Sequence, residues 1–248
     1  VLDGNHRIVG LHLAEALIGN LCLDNIAVIM AGGKGERLKP LTDEIPKPMM
    51  KVAGHPILEH IILHLSASGI RTIYIAVNYL ADVIENYFKD GSMFGCSIHY
   101  LREKNPLGTA GALRLLPEKS RFPIFVVNGD LITHFDVQAM LHYHQKSKNI
   151  MTIGIHDYIQ SIPYGVIDVN GTGVVSIYEK PEKHYNINGG IYIIEPELID
   201  TVPDENTFQM TEFINNTINN KQKVGVHLIE GSWIDVGEHS DLKIAQGR

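Results

Sequence analysis

Cysteine is nearly absent from this chain: Cys22 and Cys96 stand alone among 248 residues. A disulfide framework or a thiolate metal site needs more cysteines at closer spacing, so neither is expected, and a reducing cytoplasm suits the chain. Positive charge is also scarce. Lys and Arg number 21 against 28 Asp and Glu, for a net charge of −7. That balance argues against a nucleic-acid surface. No apolar run approaches ~18 residues, so no segment reads as a membrane span. No signal-peptide pattern is read. Internal repeats and low-complexity tracts are absent, and so are the nucleophile string G-x-S-x-G and the zinc string H-E-x-x-H. Thirteen histidines remain. His60 and His64 are four apart on one expected helix, but without the zinc string they read as structural or exposed. His142 and His144 do not share a helix face, which gives them the same reading.

What is present suits one α/β domain with a sizeable core: 44% of the residues are hydrophobic and 20% charged. From residue 25 the pattern alternates. Strands are expected over 25–31, 72–77, 97–101 and 123–127, with helices over 56–68, 81–88 and 108–116 between them. Pro56 is placed in a helix's first turn, where a missing N–H costs nothing. A helix over 136–147, a strand over 150–155 and an Asn170-Gly171 hairpin turn follow. Strand 190–194, helix 210–219, strand 224–229 and helix 240–245 complete the series. Short apolar strands alternating with helices predict a parallel sheet covered on both faces.

The most informative stretch is residues 27–51, AVIMAGGKGERLKPLTDEIPKPMMK. An apolar run ends in Gly32-Gly33-Lys34-Gly35, a turn with few side chains whose backbone N–H groups can close on a phosphate. Five basic residues (34, 37, 39, 47, 51) stand here against three acids (36, 43, 44), a local positive field inside an acidic chain. The Walker spacing is not met. The dinucleotide fingerprint begins at Gly33-Lys34-Gly35 but has Leu38 where its last glycine belongs. Asn128-Gly129-Asp130 follows another expected strand. In an open α/β sheet both motifs fall at the carboxyl edge, where ligands bind.

The string Met30-Ala31-Gly32-Gly33-Lys34-Gly35-Glu36-Arg37-Leu38-Lys39-Pro40-Leu41-Thr42, followed by Pro46-Lys47-Pro48, resembles the signature of the sugar-1-phosphate nucleotidylyltransferases. Further landmarks of that family follow in order over about residues 25–246. The resemblance implies a Rossmann-like, mostly parallel sheet flanked by helices, with a β-hairpin insertion in the sugar-binding half. It also implies Mg²⁺ held by Asp130 and by Asp235 of Trp233-Ile234-Asp235-Val236-Gly237, where Glu238 stands in place of the family's frequent Thr. Arg37 is assigned mainly to pyrophosphate and Lys47 to phosphates of both substrates; Lys34 and Lys39 read as helpers or solvated side chains. Ala31, Gly32, Gly33 and Gly35 form the nucleotide loop. Glu103 to Gly111, EKNPLGTAG, resembles the base-recognition loop, with Gly108 and Thr109 in the version found in guanylyl- and some uridylyltransferases. The Glu103 carboxylate suits guanine N1–H and N2–H₂. On the sugar side the matching residues are Tyr164 and Gly165, then Glu179 and Lys180 of an E-K-P motif, and Asn188 of an N-x-G segment.

The implied reaction joins an NTP and a sugar 1-phosphate into an NDP-sugar with release of pyrophosphate, by direct in-line attack on the α-phosphorus. Residues 1–22 resemble the closing strand and helix of a CBS regulatory domain, with residues 23–248 as the catalytic domain. Such a domain is far longer than this segment, so most of it is expected to be missing here. A regulatory ligand at that domain and a homo-oligomer are further expectations. The combination resembles guanylyltransferases of legionaminic-type sugar pathways, which narrows the expectation to GTP and glucosamine 1-phosphate. A uridylyl- or thymidylyltransferase, and a non-catalytic regulatory paralogue that binds nucleotide sugars, are the alternatives.

Overall fold

The computed structural model describes residues 22–204 and 207–247. The expectation for residues 1–22 therefore falls, Cys22 apart, outside the described residues. In chain order the elements begin with β1 (Leu23–Met30), the short hairpin β2 (Lys51–Val52) and β3 (His55–Pro56), then α1 (Ile57–Ala67). Next come β4 (Ile70–Val77), α2 (Ala81–Phe88), β5 (Ser97–Arg102) and α3 (Gly108–Gly111). After β6 (Ile124–Asn128) and β7 (Leu131–Thr133) follows α4 (Val137–Ser147), whose N-cap Asp136 accepts a bond from Ala139 N at 2.9 Å. The second half holds β8 (Met151–Ser161), β9 (Val166–Asn170), β10 (Gly173–Tyr178), β11 (Glu182–Ile194), α5 (Pro196–Ile199) and α6 (Met210–Asn219). β12 (Val224–Leu228), β13 (Trp233–Asp235) and α7 (His239–Ala245) close the order.

A seven-stranded sheet, in the order β12-β8-β11-β6-β1-β4-β5, forms the middle layer. Four of its six pairings are parallel and the two made by β11 are antiparallel, so the sheet is mostly parallel, as expected. Its strands alternate side chains between two buried faces. Ala27, Ile29, Ile73, Ile75, Phe125 and Val127 point to the face covered by α1, α2, α4 and α7. Val28, Ala76 and Val126 point to the other, covered by α3, α5 and α6. Apolar residues on both faces are why these strands read as continuous hydrophobic runs.

Three sequence expectations need correction. The helix expected over 108–116 is one α turn, followed by a 3₁₀ turn at Ala112–Leu115. Gly108, at φ 81°, has no helical backbone, and the Ala110 and Gly111 N–H groups both donate to Phe208 O rather than into a longer helix. Pro56 caps α1 from an extended conformation instead of entering it. Strands 150–155 and 190–194 run on to Ser161 and back to Glu182, pairing with each other over most of that length. Their extension carries the β9–β10 ribbon, turned at Asn170-Gly171 as expected. Ile167, Val169, Val174 and Ile177 form one exposed face of that ribbon.

Candidate active site

β1 and β6 run parallel, with Met30 opposite Asn128, so the two loops that leave them emerge side by side. Gly129 makes this approach close. Its N–H donates to Met30 O at 2.9 Å, and a Cβ there would lie 2.8 Å from the same oxygen. Asp130 is thereby turned into the space beyond the glycine-rich loop. β13 then pairs antiparallel with β7, placing Asp235 opposite Leu131, and Val236 N donates to Asp130 O at 3.0 Å. Two carboxylates more than a hundred residues apart in the chain thus meet at one strand edge.

Lys47 lies between them. Its Nζ is 2.5 Å from Asp130 Oδ2 and 3.5 Å from Asp235 Oδ1, and its side chain is 13% exposed. Asp130 Oδ1 is buried without a hydrogen-bond partner, and Asp235 Oδ1 has only the long contact to Lys47. Burial raises the Asp235 carboxyl above its ordinary range, the Asp130 charge adds to that rise, and Lys47 opposes it. Two carboxylates with incompletely satisfied oxygens beside an open cavity fit Mg²⁺, which takes one or two carboxylates and completes its shell with substrate phosphates and water. Asp130 and Asp235 would hold it. Among the described residues no cluster of three or more His, Cys, Asp or Glu offers a fuller protein cage. His60 and His64 each bond a backbone carbonyl, of Val52 and Phe135 respectively, at 2.9 Å.

The cavity has a volume of about 260 Å³. Ala31, Gly32 and Gly33 line it from one side, Glu103, Gly108 and Thr109 from another, with Lys47 and Asp130 between. A larger cleft of about 360 Å³ lies around Arg114 and Lys119, but those cations are already paired with Asp204 and Asp200. It lacks the glycine-rich loop and the paired Asp130 and Asp235 that meet at the smaller cavity.

The Glu103 loop is braced twice. Glu103 Oε2 accepts from Leu107 N at 2.8 Å, and Asn78 Nδ2 donates to Glu103 O at 2.8 Å. Burial pushes the Glu103 carboxyl above its usual range. Its other oxygen, Oε1, faces the Gly32 backbone, 2.7 Å from where a Cβ would stand. The far end of the loop is tied to the segment before α6. Phe208 N donates to Leu107 O at 2.8 Å, and Thr109 Oγ1 accepts from Met210 N at 2.8 Å.

Gly108 makes that tie feasible, since a Cβ there would sit 2.6 Å from Phe208 O. Gly108→Ala combines this clash with a strained positive φ, and about 2 kcal/mol or more of stability is expected to be lost. Urea unfolding would measure it, and an unchanged midpoint would contradict the bracing.

A family profile described as nucleotidyl transferase matches residues 26–247. The chain belongs to the nucleotidyl transferase family. A mannose-1-phosphate guanyltransferase of Kluyveromyces lactis is 35% identical over 224 residues, covering 87% of this chain and 62% of that protein. Mannose-1-phosphate guanyltransferase 2 of Candida glabrata is 33% identical over 232 residues, covering 89% of this chain and 63% of that protein. The chain thus spans less than two thirds of the length of these curated relatives. The crystal structure of HddC from Yersinia pseudotuberculosis superposes with a TM-score of 0.69 at 25% identity, over 90% of this chain and 98% of that one.

Within this nucleotidyl transferase domain, the residues expected from sequence divide into three groups. Ala31, Gly32, Gly33, Lys47, Glu103, Gly108, Thr109 and Asp130 share the cavity, and Asp235 joins them through Lys47. Arg37 is not among the cavity-lining residues. Its side chain is 69% exposed and reaches Glu238 Oε1 at 3.5 Å, so the residue that replaces the family's frequent Thr carries its counter-charge. Gly35 is likewise outside the lining and anchors the loop: Thr42, fully buried, donates from Oγ1 to Gly35 O at 2.9 Å. Lys39 pairs with Asp43 at 3.8 Å.

The sugar-side residues are more dispersed. Asn188 lies on β11 and accepts from Gly190 N at 3.0 Å and Tyr192 Oη at 2.9 Å, which leaves its amide N–H₂ for a ligand. Gly190 packs against Asn128, a cavity-lining residue. Tyr164, Gly165, Glu179 and Lys180 flank the base of the ribbon and are not among the cavity-lining residues. There Glu179 faces Gly165, and Tyr164 is 74% exposed. Sequence reasoning missed Gln209, which lines the cavity and accepts from Thr109 Oγ1 at 3.2 Å. No local signal marks it, because its partner lies a hundred positions away. Thr42 was within reach, since it closes the signature string.

Proposed function

We propose that this domain is a Mg²⁺-dependent sugar-1-phosphate guanylyltransferase, transferring GMP from GTP to a hexose 1-phosphate. The carrying observation is the Lys47–Asp130–Asp235 cluster at the edge of a cavity walled by the glycine-rich loop and the Glu103–Thr109 loop. An oxygen of the sugar phosphate attacks the α-phosphorus of GTP. One P–O bond forms, the α–β P–O bond breaks, and pyrophosphate leaves with the electron pair. When bound, Mg²⁺ supplies charge neutralisation and orientation of the phosphates. The protein contributes placement and fixed charge. The Gly32–Gly33 backbone approaches the triphosphate, Lys47 meets its negative oxygens, Arg37 joins by leaving its exposed pairing with Glu238, and Glu103 Oε1 accepts from the base edge.

Guanine is favoured because a carboxylate oxygen accepts from both N1–H and N2–H₂, and because the curated relatives are guanyltransferases. Their names point to mannose 1-phosphate, and the sequence resemblance to glucosamine 1-phosphate; both are hexose 1-phosphates with the same attacking phosphate, and they differ at C2. Residues 1–22 are assigned, on sequence pattern, to the end of a CBS-type regulatory domain. The intact charged set, Arg37, Lys47, Asp130 and Asp235, favours an enzyme over a regulatory paralogue.

Pyrophosphate release is the test, with GTP, UTP, dTTP and ATP each paired with mannose, glucosamine, N-acetylglucosamine and glucose 1-phosphates. GTP is expected to give the highest kcat/KM with one of the first two sugars. Absence of Mg²⁺-dependent release from every pair would overturn the enzyme reading.

A further inference from the structure

We infer that Lys47 occupies the cation position of the Asp130–Asp235 pair in the substrate-free protein and holds divalent metal affinity down until a phosphate draws it away. The inference rests on the reading of these carboxylates as the metal site.

The ammonium sits where a cation would serve both acids, 2.5 Å from Asp130 Oδ2 and 3.5 Å from Asp235 Oδ1. A divalent ion entering there meets a like charge at close range and two carboxylates already partly neutralised. The base of the lysine cannot retreat. It begins the 3₁₀ turn Lys47–Met49, and its Cβ packs against Gly35, 3.0 Å from where a Cβ of that residue would stand. The four-carbon stem can swing. Lys47 also lines the cavity beside Gly33, so a phosphate arriving there is a competing acceptor for the same ammonium. Transfer of Lys47 from carboxylate to phosphate frees both acids at the moment when phosphate oxygens are present to complete a metal shell. Nucleotide and metal binding are then coupled, each strengthening the other by the same factor.

Mn²⁺ binding without nucleotide, followed by the EPR signal of the free ion, tests this on wild type, Lys47→Met, Lys47→Arg and the Lys47→Met/Asp130→Asn double variant. Lys47→Met is expected to bind Mn²⁺ tighter than wild type, on the order of tenfold or more, although its turnover falls. Lys47→Arg, which keeps the charge, is expected to stay as weak as wild type, and the double variant is expected to lose the site. Thermal unfolding with and without Mn²⁺ gives a second readout that survives a destabilised Lys47→Met, whose melting point should rise more with metal than that of wild type. Equal or weaker Mn²⁺ binding by Lys47→Met, with the site still lost in the double variant, overturns the lysine's role and leaves the metal reading standing. No binding by Lys47→Met without nucleotide likewise overturns the lysine's role, whereas tight binding that persists in the double variant overturns the metal reading itself.

Discussion

Asp130→Asn is expected to lower kcat/KM for pyrophosphate release by about 10³-fold or more, with the fold intact. The change is nearly isosteric, so Asp130 keeps its place after Gly129, and the backbone bond from Val236 N to Asp130 O is unaffected. What disappears is the charge that holds Lys47 and that would carry half of the protein's share of a metal shell. Stability is expected to move little, within about 1 kcal/mol, because two effects oppose each other. Lys47 loses its nearer partner but retains Asp235 at 3.5 Å. Asp235 in turn loses the neighbouring negative charge that helps to raise its pKa. Steady-state kinetics and a urea melt on the same preparation separate the outcomes. A fall in activity matched by a fall in stability would make Asp130 a structural residue; activity retained within tenfold would remove it from the chemistry.

The site's centre was legible because its pieces obey local rules. β1 ends in a glycine-rich turn and β6 in Asn-Gly-Asp, and parallel strands must deliver both turns to one edge. The remainder depended on pairings that no local pattern announces. β13 is three residues long and gains its meaning only by lying against β7, which is what carries Asp235 to Asp130. The Glu103 loop is held by Phe208 and Met210, and Gln209 enters the cavity as a consequence of that contact.

In the fold, the short strands with both faces buried were found within a few residues of their ends. The distal parts of β8 and β11 were missed because, once past the core, their exposed mixture of polar and apolar residues no longer reads as a buried run. Arg37 shows the opposite limit. Its place in the signature string was plain, but the acid it meets at 3.5 Å, Glu238, lies two hundred positions away.

Glu103→Gln is expected to lower kcat/KM with GTP by about 10²-fold while affecting UTP far less. The argument turns on which oxygen is already engaged. Oε2 accepts from Leu107 N at 2.8 Å, and the loop conformation depends on that bond. In the glutamine variant the side-chain carbonyl is the one acceptor left, so it takes the Leu107 bond and turns the amide N–H₂ to where Oε1 now faces the Gly32 backbone at the cavity wall. A donor then confronts the N1–H and N2–H₂ donors of guanine, leaving buried polar groups unpaired, which is costlier than a lost contact. Uracil offers carbonyl oxygens to the same N–H₂ and meets no such conflict. The pH dependence gives an independent check. Burial raises the Glu103 pKa in the free protein, so on acidification the carboxylate is protonated earlier than an ordinary glutamate. Preference for GTP over UTP in wild type should therefore hold at neutral pH and decline as pH falls through that raised value, whereas the glutamine variant, with nothing to titrate, should show a flat ratio. A GTP-to-UTP ratio that is unchanged by the substitution, or that falls with acid equally in both proteins, would place base recognition elsewhere, with Gln209 and the Thr109 backbone as the next groups to test.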